Sequence, residues 1–156
     1  MATTTTNLGL TKPAGTDAVD IAVINANMDT IDTLAPISGT WTPVLRGSTT
    51  AGTGVYDRQI GKYVKQGKLV YIIAEIRVTS LTGGAGFYQI DGLPFTSLSG
   101  DNNFISAPNS ISGAGNLWSV YNGVVWPRIA NGTAAVAYAD ISSMTYIYLS
   151  GVYKIG

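Results

Sequence analysis

Aromatic rings close to amide side chains are the residues of this sequence best suited to bind a ligand. Trp118, Tyr121 and Trp126 lie within nine residues of one another, and Asn116 and Asn122 stand beside them. A flat amphipathic ring stacks on a sugar, while an amide hydrogen-bonds its hydroxyl groups. The same rings also fill cores and anchor protein interfaces. The aromatic stretch therefore predicts a binding site, a core or an interface.

Alternation along this stretch separates inward from outward rings. Trp118 and Trp126 are predicted to share one face with Val120 and Val124, which favours the core or a subunit interface for both tryptophans. Tyr121 then lies on the other face. We expect Tyr121 to be a surface residue.

A polar loop precedes the aromatic stretch and could share a ligand with it. Amide and hydroxyl groups on solvent-facing loops orient sugar hydroxyls, although a long polar stretch is also typical of a plain surface turn. With no further acids at calcium-loop spacing, we expect no metal ion here. The predicted ligand-binding residues are Asp101, Asn102, Asn103, Asn116, Tyr121 and Asn122.

A pair of carboxylates is one arrangement by which this sequence could catalyse a reaction. Two facing carboxylates hydrolyse glycosides, but no spacing in this sequence predicts such a pair. Asp91 precedes Gly92 and is typical of a turn, while Glu75 falls on the solvent face of a predicted strand. We therefore predict a protein that is not an enzyme.

The composition excludes several other classes. Among the 156 residues there is no histidine and no cysteine, which removes Ser-His-Asp catalysis, histidine or thiolate metal sites and disulfides. Nine basic residues balance nine acidic ones, so no net charge favours nucleic acid or an anionic membrane. No secretory signal and no membrane-spanning run are present in the sequence. We expect a protein without cofactors that is made in the cytoplasm and not inserted into a membrane.

A helical period occurs in residues 16–36. Thr16 or Asp17 can cap the helix, and Pro36 ends it. The apolar positions recur at spacings of three and four, as in a heptad seam, and isoleucine at d positions disfavours a parallel dimer. This amphipathic helix either packs on its own domain or associates with copies of itself. The predicted oligomer seam consists of Ile21, Ile24, Met28, Ile31 and Ala35.

The segment before the helix cannot form a core. Residues 1–15 are rich in threonine, and Leu8 and Leu10 are their only large apolar groups after Met1. We expect either a disordered tail or an extended arm that becomes ordered on another protein. In the second case Leu8, Leu10 and Pro13 are the predicted docking residues.

From residue 39 onward the apolar period is two. The run 69–79 places Val70 and Ile72 on one face and Tyr71 on the other, and it pairs with 56–65 through the turn at Gln66-Gly67. Residues 144–155 alternate in the same way, with Ile147, Leu149, Tyr153 and Ile155 on one face and Tyr146 and Tyr148 on the other. About eight short strands with turn signals between them predict that residues 39–156 form an antiparallel β-sandwich of jelly-roll type.

Two groups of residues resemble parts of a known family. The runs Asn7-Leu8-Gly9-Leu10-Thr11-Lys12-Pro13, Asp17-Ala18-Val19-Asp20-Ile21 and Ile24-Asn25-Ala26-Asn27-Met28-Asp29-Thr30-Ile31-Asp32 are similar to the N-terminal segment of tailed-bacteriophage fibre and minor structural proteins. Gly39-Thr40-Trp41-Thr42-Pro43-Val44-Leu45, followed by Tyr56 and the run 61–70, resembles the β-sandwich heads of phage tail fibres and receptor-binding proteins. Together they cover about the first 95 residues.

The resemblance implies a virion protein, three copies of which form a fibre. Its N-terminal arm would dock on the baseplate, tail or capsid, a short three-helix coiled coil would form the stalk, and jelly-roll heads would face outward. The heads would bind a host cell-wall glycan or a protein in host attachment. Two alternatives stay open: a decoration fibre that binds only virion proteins, and a polysaccharide depolymerase. The position on head or tail, the receptor, the part that holds the trimer and the role of residues 96–131 are not predicted.

Overall fold

The computed structural model of the chain describes residues 1–100, 103–111, 113–127 and 145–156. These residues form two compact units, Met1–Pro36 and Ile37–Gly156. The described part is mainly antiparallel β structure with one helix, which confirms the predicted class of fold. No helix within the described residues is long and apolar enough to cross a membrane.

The N-terminal segment forms a small hairpin, whereas its composition predicted a disordered tail or an extended arm. Strand β1 (Thr3–Thr4) pairs antiparallel with β2 (Thr11–Lys12). The turn is held by Thr5, whose backbone carbonyl accepts from Gly9 N at 3.1 Å and whose hydroxyl accepts from Leu10 N at 2.9 Å. Gly9 has a φ of 64°, a conformation that glycine adopts without steric cost. The threonine-rich composition does not reveal this pairing.

Helix α1 (Ile21–Asp32) is shorter than the predicted 16–36. Asp20 is the N-cap, because its carboxylate accepts from Ala22 N at 2.9 Å, whereas Asp17 accepts from Ala14 N and closes a preceding turn. Single turns follow the last helical residue, and Ala35 N donates to Asp32 O at 3.0 Å within them. Ala35 therefore lies outside the helix and does not extend the seam.

The hairpin is tied to the helix by one amide side chain. Asn27 Oδ1 accepts from Thr11 N at 2.9 Å, and Asn27 Nδ2 donates to Thr11 O at 2.9 Å. These two hydrogen bonds satisfy the backbone N–H and C=O of Thr11 in the way that a neighbouring strand would. It fixes β2 against the side of α1 that carries Asn27.

The second unit contains nine strands within its described residues. Their sheet order is β3-β5-β6-β11-β8-β9-β10-β7-β4, and neighbouring strands are antiparallel. The strands are β3 (Ile37–Trp41), β4 (Val44–Gly47), β5 (Thr53–Gln66), β6 (Leu69–Thr82), β7 (Tyr88–Asp91), β8 (Asn103–Ser106), β9 (Leu117–Tyr121), β10 (Val124–Trp126) and β11 (Thr145–Lys154).

The sheet curls until its two edges meet. Strands β3 and β4 stand at opposite ends of the strand order, yet only Thr42 and Pro43 separate them in the chain. Across the same gap Gln59 Nε2 donates to Pro43 O at 2.9 Å. The interior of the curl is the core.

The longest hairpin is the one that the sequence predicts. In β5 and β6, Gln66 pairs with Leu69 around Gly67, which has a φ of 56°. The inward residues of β6 are buried, as alternation predicts: Val70, Ile72, Ala74, Ile76 and Val78. On β11 the alternation is also confirmed, since Ile147, Leu149 and Tyr153 are buried and Tyr146 and Tyr148 are exposed.

Large rings fill the centre of the core. Trp118 and Tyr88 are fully buried and meet edge to face with their centroids 5.7 Å apart. The indole Nε1 of Trp118 donates to Gly115 O at 2.7 Å, which satisfies its buried donor. This confirms the prediction of an inward Trp118.

The prediction for Trp126 and Val124 is wrong. The two-residue turn pairs Tyr121 with Val124, so Val125 lies opposite Val120 and joins the core. Trp126 lies opposite Ser119 on the other face and is only partly buried. A turn of two residues reverses the alternation between the strands that it joins, so that odd-numbered residues of β10 share a face with even-numbered residues of β9. Trp126 therefore lies on the same face as Ser119 and Tyr121.

Candidate functional site

The predicted ligand residues divide between two ends of the β8–β9 hairpin. Asn103 pairs with Val120 next to Tyr121, whereas Asn116 lies beyond the opposite end of β9. Asn116 lies five residue steps before Tyr121 along extended chain, a distance of roughly 17 Å. The structure thus brings Asn103, Tyr121 and Asn122 together and separates Asn116 from them. Asp101 and Asn102 lie outside the described residues.

The turn after Tyr121 is rigid. Asn122 has a φ of 51° and Gly123 a φ of 77°, as a two-residue turn of type I′ requires. Gly123 N donates to Ser97 Oγ at 2.7 Å. Asn122 is therefore both a turn residue and an exposed amide next to a half-exposed tyrosine ring.

Two residues at this end were missed by sequence reasoning. Lys154 N donates to Asn103 Oδ1 at 3.3 Å, and Leu98 N donates to Lys154 O at 2.8 Å. Ser97 reaches the same end through its bond to the turn. Because Lys154 is 51 residues from Asn103 and Ser97 is 26 residues from Gly123, no local pattern predicts these contacts.

We call this group the turn end: Ser97, Asn103, Tyr121, Asn122 and Lys154. It combines one ring of which 37% is exposed, two amides and a lysine whose side chain is exposed, while the Ser97 hydroxyl is buried and accepts from the turn. The ring and the amides suit a polar ligand with several hydroxyl or carboxylate groups. Lys154 belongs to this end through its backbone hydrogen bonds.

Two acids of the β unit are held in ion pairs. Glu75 contacts Arg58 Nε through Oε2, and its Oε1 lies 3.0 Å from Arg77 Nη2. Asp91 Oδ2 lies 2.6 Å from Arg46 Nε. The pairs with Arg58 and Arg46 join neighbouring strands, whereas Glu75 and Arg77 lie on the same strand, β6. Within the described residues, no three metal-ligating side chains come together.

Tyr153 connects the last strand to the loop before the turn end. Its hydroxyl donates to Phe95 O at 2.9 Å. Burial raises the pKa of Tyr153 to about 12, and the bond with the Phe95 backbone partly opposes that rise. Burial likewise raises the pKa of Tyr88 above its ordinary value.

The N-terminal unit presents a second candidate surface. No residue of α1, which is described throughout, is buried, and Ile21, Ile24, Met28 and Ile31 are between 39 and 66% exposed. In the hairpin Leu8 is exposed, Leu10 is half-buried and Pro13 is exposed. Four of the five seam residues thus share the helix, and Leu8 and Pro13 are the exposed residues among the three docking candidates.

No protein-family model, no curated protein and no solved structure matches the chain. The functional interpretation therefore depends on the residues themselves.

Proposed function

We propose that the chain is a trimeric, non-enzymatic fibre protein of a bacteriophage particle. Its N-terminal hairpin docks on other virion proteins, and its β unit, a jelly-roll-like head, binds a glycan or protein of the host surface. The protein is assembled into particles in the host cytoplasm. The observation that carries the proposal is the exposed apolar row of α1.

This row is unstable as a free surface. Isolated helices of about 12 residues are marginal in water, and most helical stability in proteins comes from burying an apolar face. The row Ile21, Ile24, Met28 and Ile31 has heptad spacing, which copies of the same helix bury as a coiled coil. Isoleucine at d favours three or four strands over two, and a trimer agrees with the resemblance to phage fibres.

The docking role is supported by the exposed tip of the hairpin. Leu8 lies in the turn between β1 and β2, and Asn27 fixes β2 through two hydrogen bonds. An apolar side chain on a braced turn is suited to enter a pocket of another protein, because little conformational entropy is lost on binding.

Labelling the protein in assembled particles tests the proposal. Full-length protein is expected at one defined position on the particle, while a variant lacking residues 2–13 remains soluble and oligomeric but is absent from particles. A Leu8→Ser variant should reduce incorporation, with Thr6→Ser in the same turn as the control. Incorporation of the truncated chain at the full level would contradict docking by the hairpin.

The decoration alternative predicts a different outcome in a binding assay. A receptor-binding head adsorbs to host cell walls as an isolated protein, whereas a fibre that binds only virion proteins is found in particles and does not adsorb. Several heads on one fibre strengthen adsorption through avidity. Adsorption is therefore measured with the oligomer and not with dissociated chains.

A further inference from the structure

The outward side of the curled sheet carries a continuous apolar surface. Val64 on β5 lies opposite Tyr71 on β6, and Tyr71 lies opposite Val152 on β11. The antiparallel register of β11 with β8 places Phe104 next in the same row. Four adjacent strands thus contribute one large exposed apolar side chain each to a single row.

We call this surface the outer apolar face. Ile73 and Leu69 flank the row on β6, and the six side chains are between 40 and 55% exposed. Its members are Val64, Leu69, Tyr71, Ile73, Phe104 and Val152. Ile60, Leu117 and Tyr148 extend the surface on β5, β9 and β11.

The exposed apolar area of this surface is close to the area that one partner buries in a protein–protein interface. Nine half-exposed large side chains present on the order of 700 Å² of apolar surface, which exceeds the largest patch of most monomers. A stable interface buries about 800 Å² on each partner. The outer apolar face, together with the three side chains that extend it, therefore approaches what one partner contributes to a stable complex.

Charged residues border the central row of this surface. Glu75 pairs with Arg58 and Arg77 at one end, and Lys62 and Lys154 lie opposite Ile73 and Leu69, whereas the row from Val64 to Phe104 contains no charge. Depletion of charge at the centre is typical of interfaces between copies of one chain, which are more apolar than transient contacts. A partner of the same composition fits this surface better than a charged one.

The face contains a groove at one side and a protruding ring at the other. The groove, of about 350 Å³, lies between β3, β5 and β6 and is lined by Tyr63, Val64, Tyr71 and Ile73 among others. Phe104, 55% exposed on β8, lies three strands away from β5, at roughly 14 Å. A groove and an exposed phenylalanine at separate places on one chain allow head-to-tail contacts, which form a closed ring of copies where the rotation from one copy to the next closes.

We infer that Phe104 of one copy packs into the groove beside Ile73 and Tyr71 of the next copy. The inference deepens the proposed trimer by assigning its contact to the β unit, and it rests on that proposed function. Association through this contact does not require the helix seam.

Sedimentation of the full chain tests the contact in an Ile24→Asp/Ile31→Asp background that disables the seam. This background is expected to remain a trimer of three times the 16.3 kDa chain mass. Adding Phe104→Lys should shift it to the monomer, because a lysine ammonium is not buried in an apolar groove without a partner. Phe87→Lys is the matched control, since Phe87 is also a half-exposed phenylalanine but lies off the face. It should leave the trimer intact.

A second substitution identifies the receiving groove. Tyr71→Glu should also give the monomer, because Tyr71 lies between Val64 and Val152 with no basic residue opposite it. Tyr71→Glu combined with Phe104→Lys should restore association through the new ion pair. A background that is already monomeric, a trimer that survives Phe104→Lys, or a failed restoration would each overturn the inference. Absence of the protein from particles would overturn the proposed function and leave the sedimentation result standing. Strand-dominated circular dichroism of each variant shows that the β unit is folded.

Discussion

The hydroxyl of Tyr56 on β5 lies 3.0 Å from the backbone nitrogen of Leu45 on β4 and 3.2 Å from its carbonyl oxygen. One phenol thus accepts from and donates to the same residue across the gap that the curled sheet leaves. Tyr56 replaces the pair of backbone bonds that a continuous ladder would supply at this point.

Removing this hydroxyl should destabilise the fold. Tyr56→Phe leaves the partly buried Leu45 N–H and C=O without their partner, so the free energy of unfolding should fall by about 1–3 kcal/mol. Urea unfolding measures the change. Tyr121→Phe, at an exposed ring, should alter stability by less than about 0.5 kcal/mol. An equal loss in both variants would show that Tyr56 does not bridge the gap.

The helix should depend on its seam. Ile31→Asp places a carboxylate on the apolar row of α1 and should reduce the helical circular dichroism signal, because this short helix needs its apolar face buried. Thr30→Asp, at the neighbouring exposed position, changes the charge equally and should retain most of the signal. If both substitutions reduce helicity equally, the seam is not what holds the helix.

Adsorption to host cell walls should depend on the turn end. Tyr121→Ala removes the exposed ring and should reduce adsorption of the oligomer about tenfold, since aromatic contacts of this kind contribute roughly 1–3 kcal/mol. Phe87→Ala removes an exposed ring elsewhere and should have no effect. Lys154→Gln should lower adsorption mainly at low salt if the ligand is anionic. Adsorption unchanged by Tyr121→Ala would move the ligand site away from the turn end.

Stability should decline in alkaline solution. The pKa of Tyr153 is about 12 in the folded protein and near 10 in the unfolded chain, so between these values only the unfolded state releases the proton. Its contribution is fully present below pH 10 and is lost as the pH rises toward 12. Unfolding by urea across this range should show a shallower decline in Tyr153→Phe. An identical slope in wild type and variant would contradict a buried, neutral Tyr153.

Local patterns predicted the parts of the fold that depend on neighbours in the chain. The period of two and the glycine at position 67 give the β5–β6 hairpin with its buried face. The order of strands was beyond prediction, because the placement of β4 beside β7 depends on residues more than forty positions apart. Helix ends also depended on a choice between equivalent caps, and Asp20 was selected over Asp17.

The candidate site was only partly predictable. Tyr121 and Asn122 were assigned to the surface correctly, since the Asn-Gly pair marks a turn. Asn116 lies just before the opposite end of β9 from Tyr121. Grouping residues by their polarity did not take into account the length of the strand between them. Lys154 arrives from the C-terminal strand, and nothing near Asn103 in the sequence predicts that neighbour.

The position of β11 determines when the sheet can be completed during synthesis. This last strand lies between β6 and β8, and without it the order separates into β3-β5-β6 and β8-β9-β10-β7-β4. A nascent chain can form its hairpins early, yet the two halves join only after residues 145–154 have left the ribosome. The described sheet therefore closes only once these residues can pair, and a chain stopped shortly before β11 exposes two unpaired strand edges, on β6 and β8.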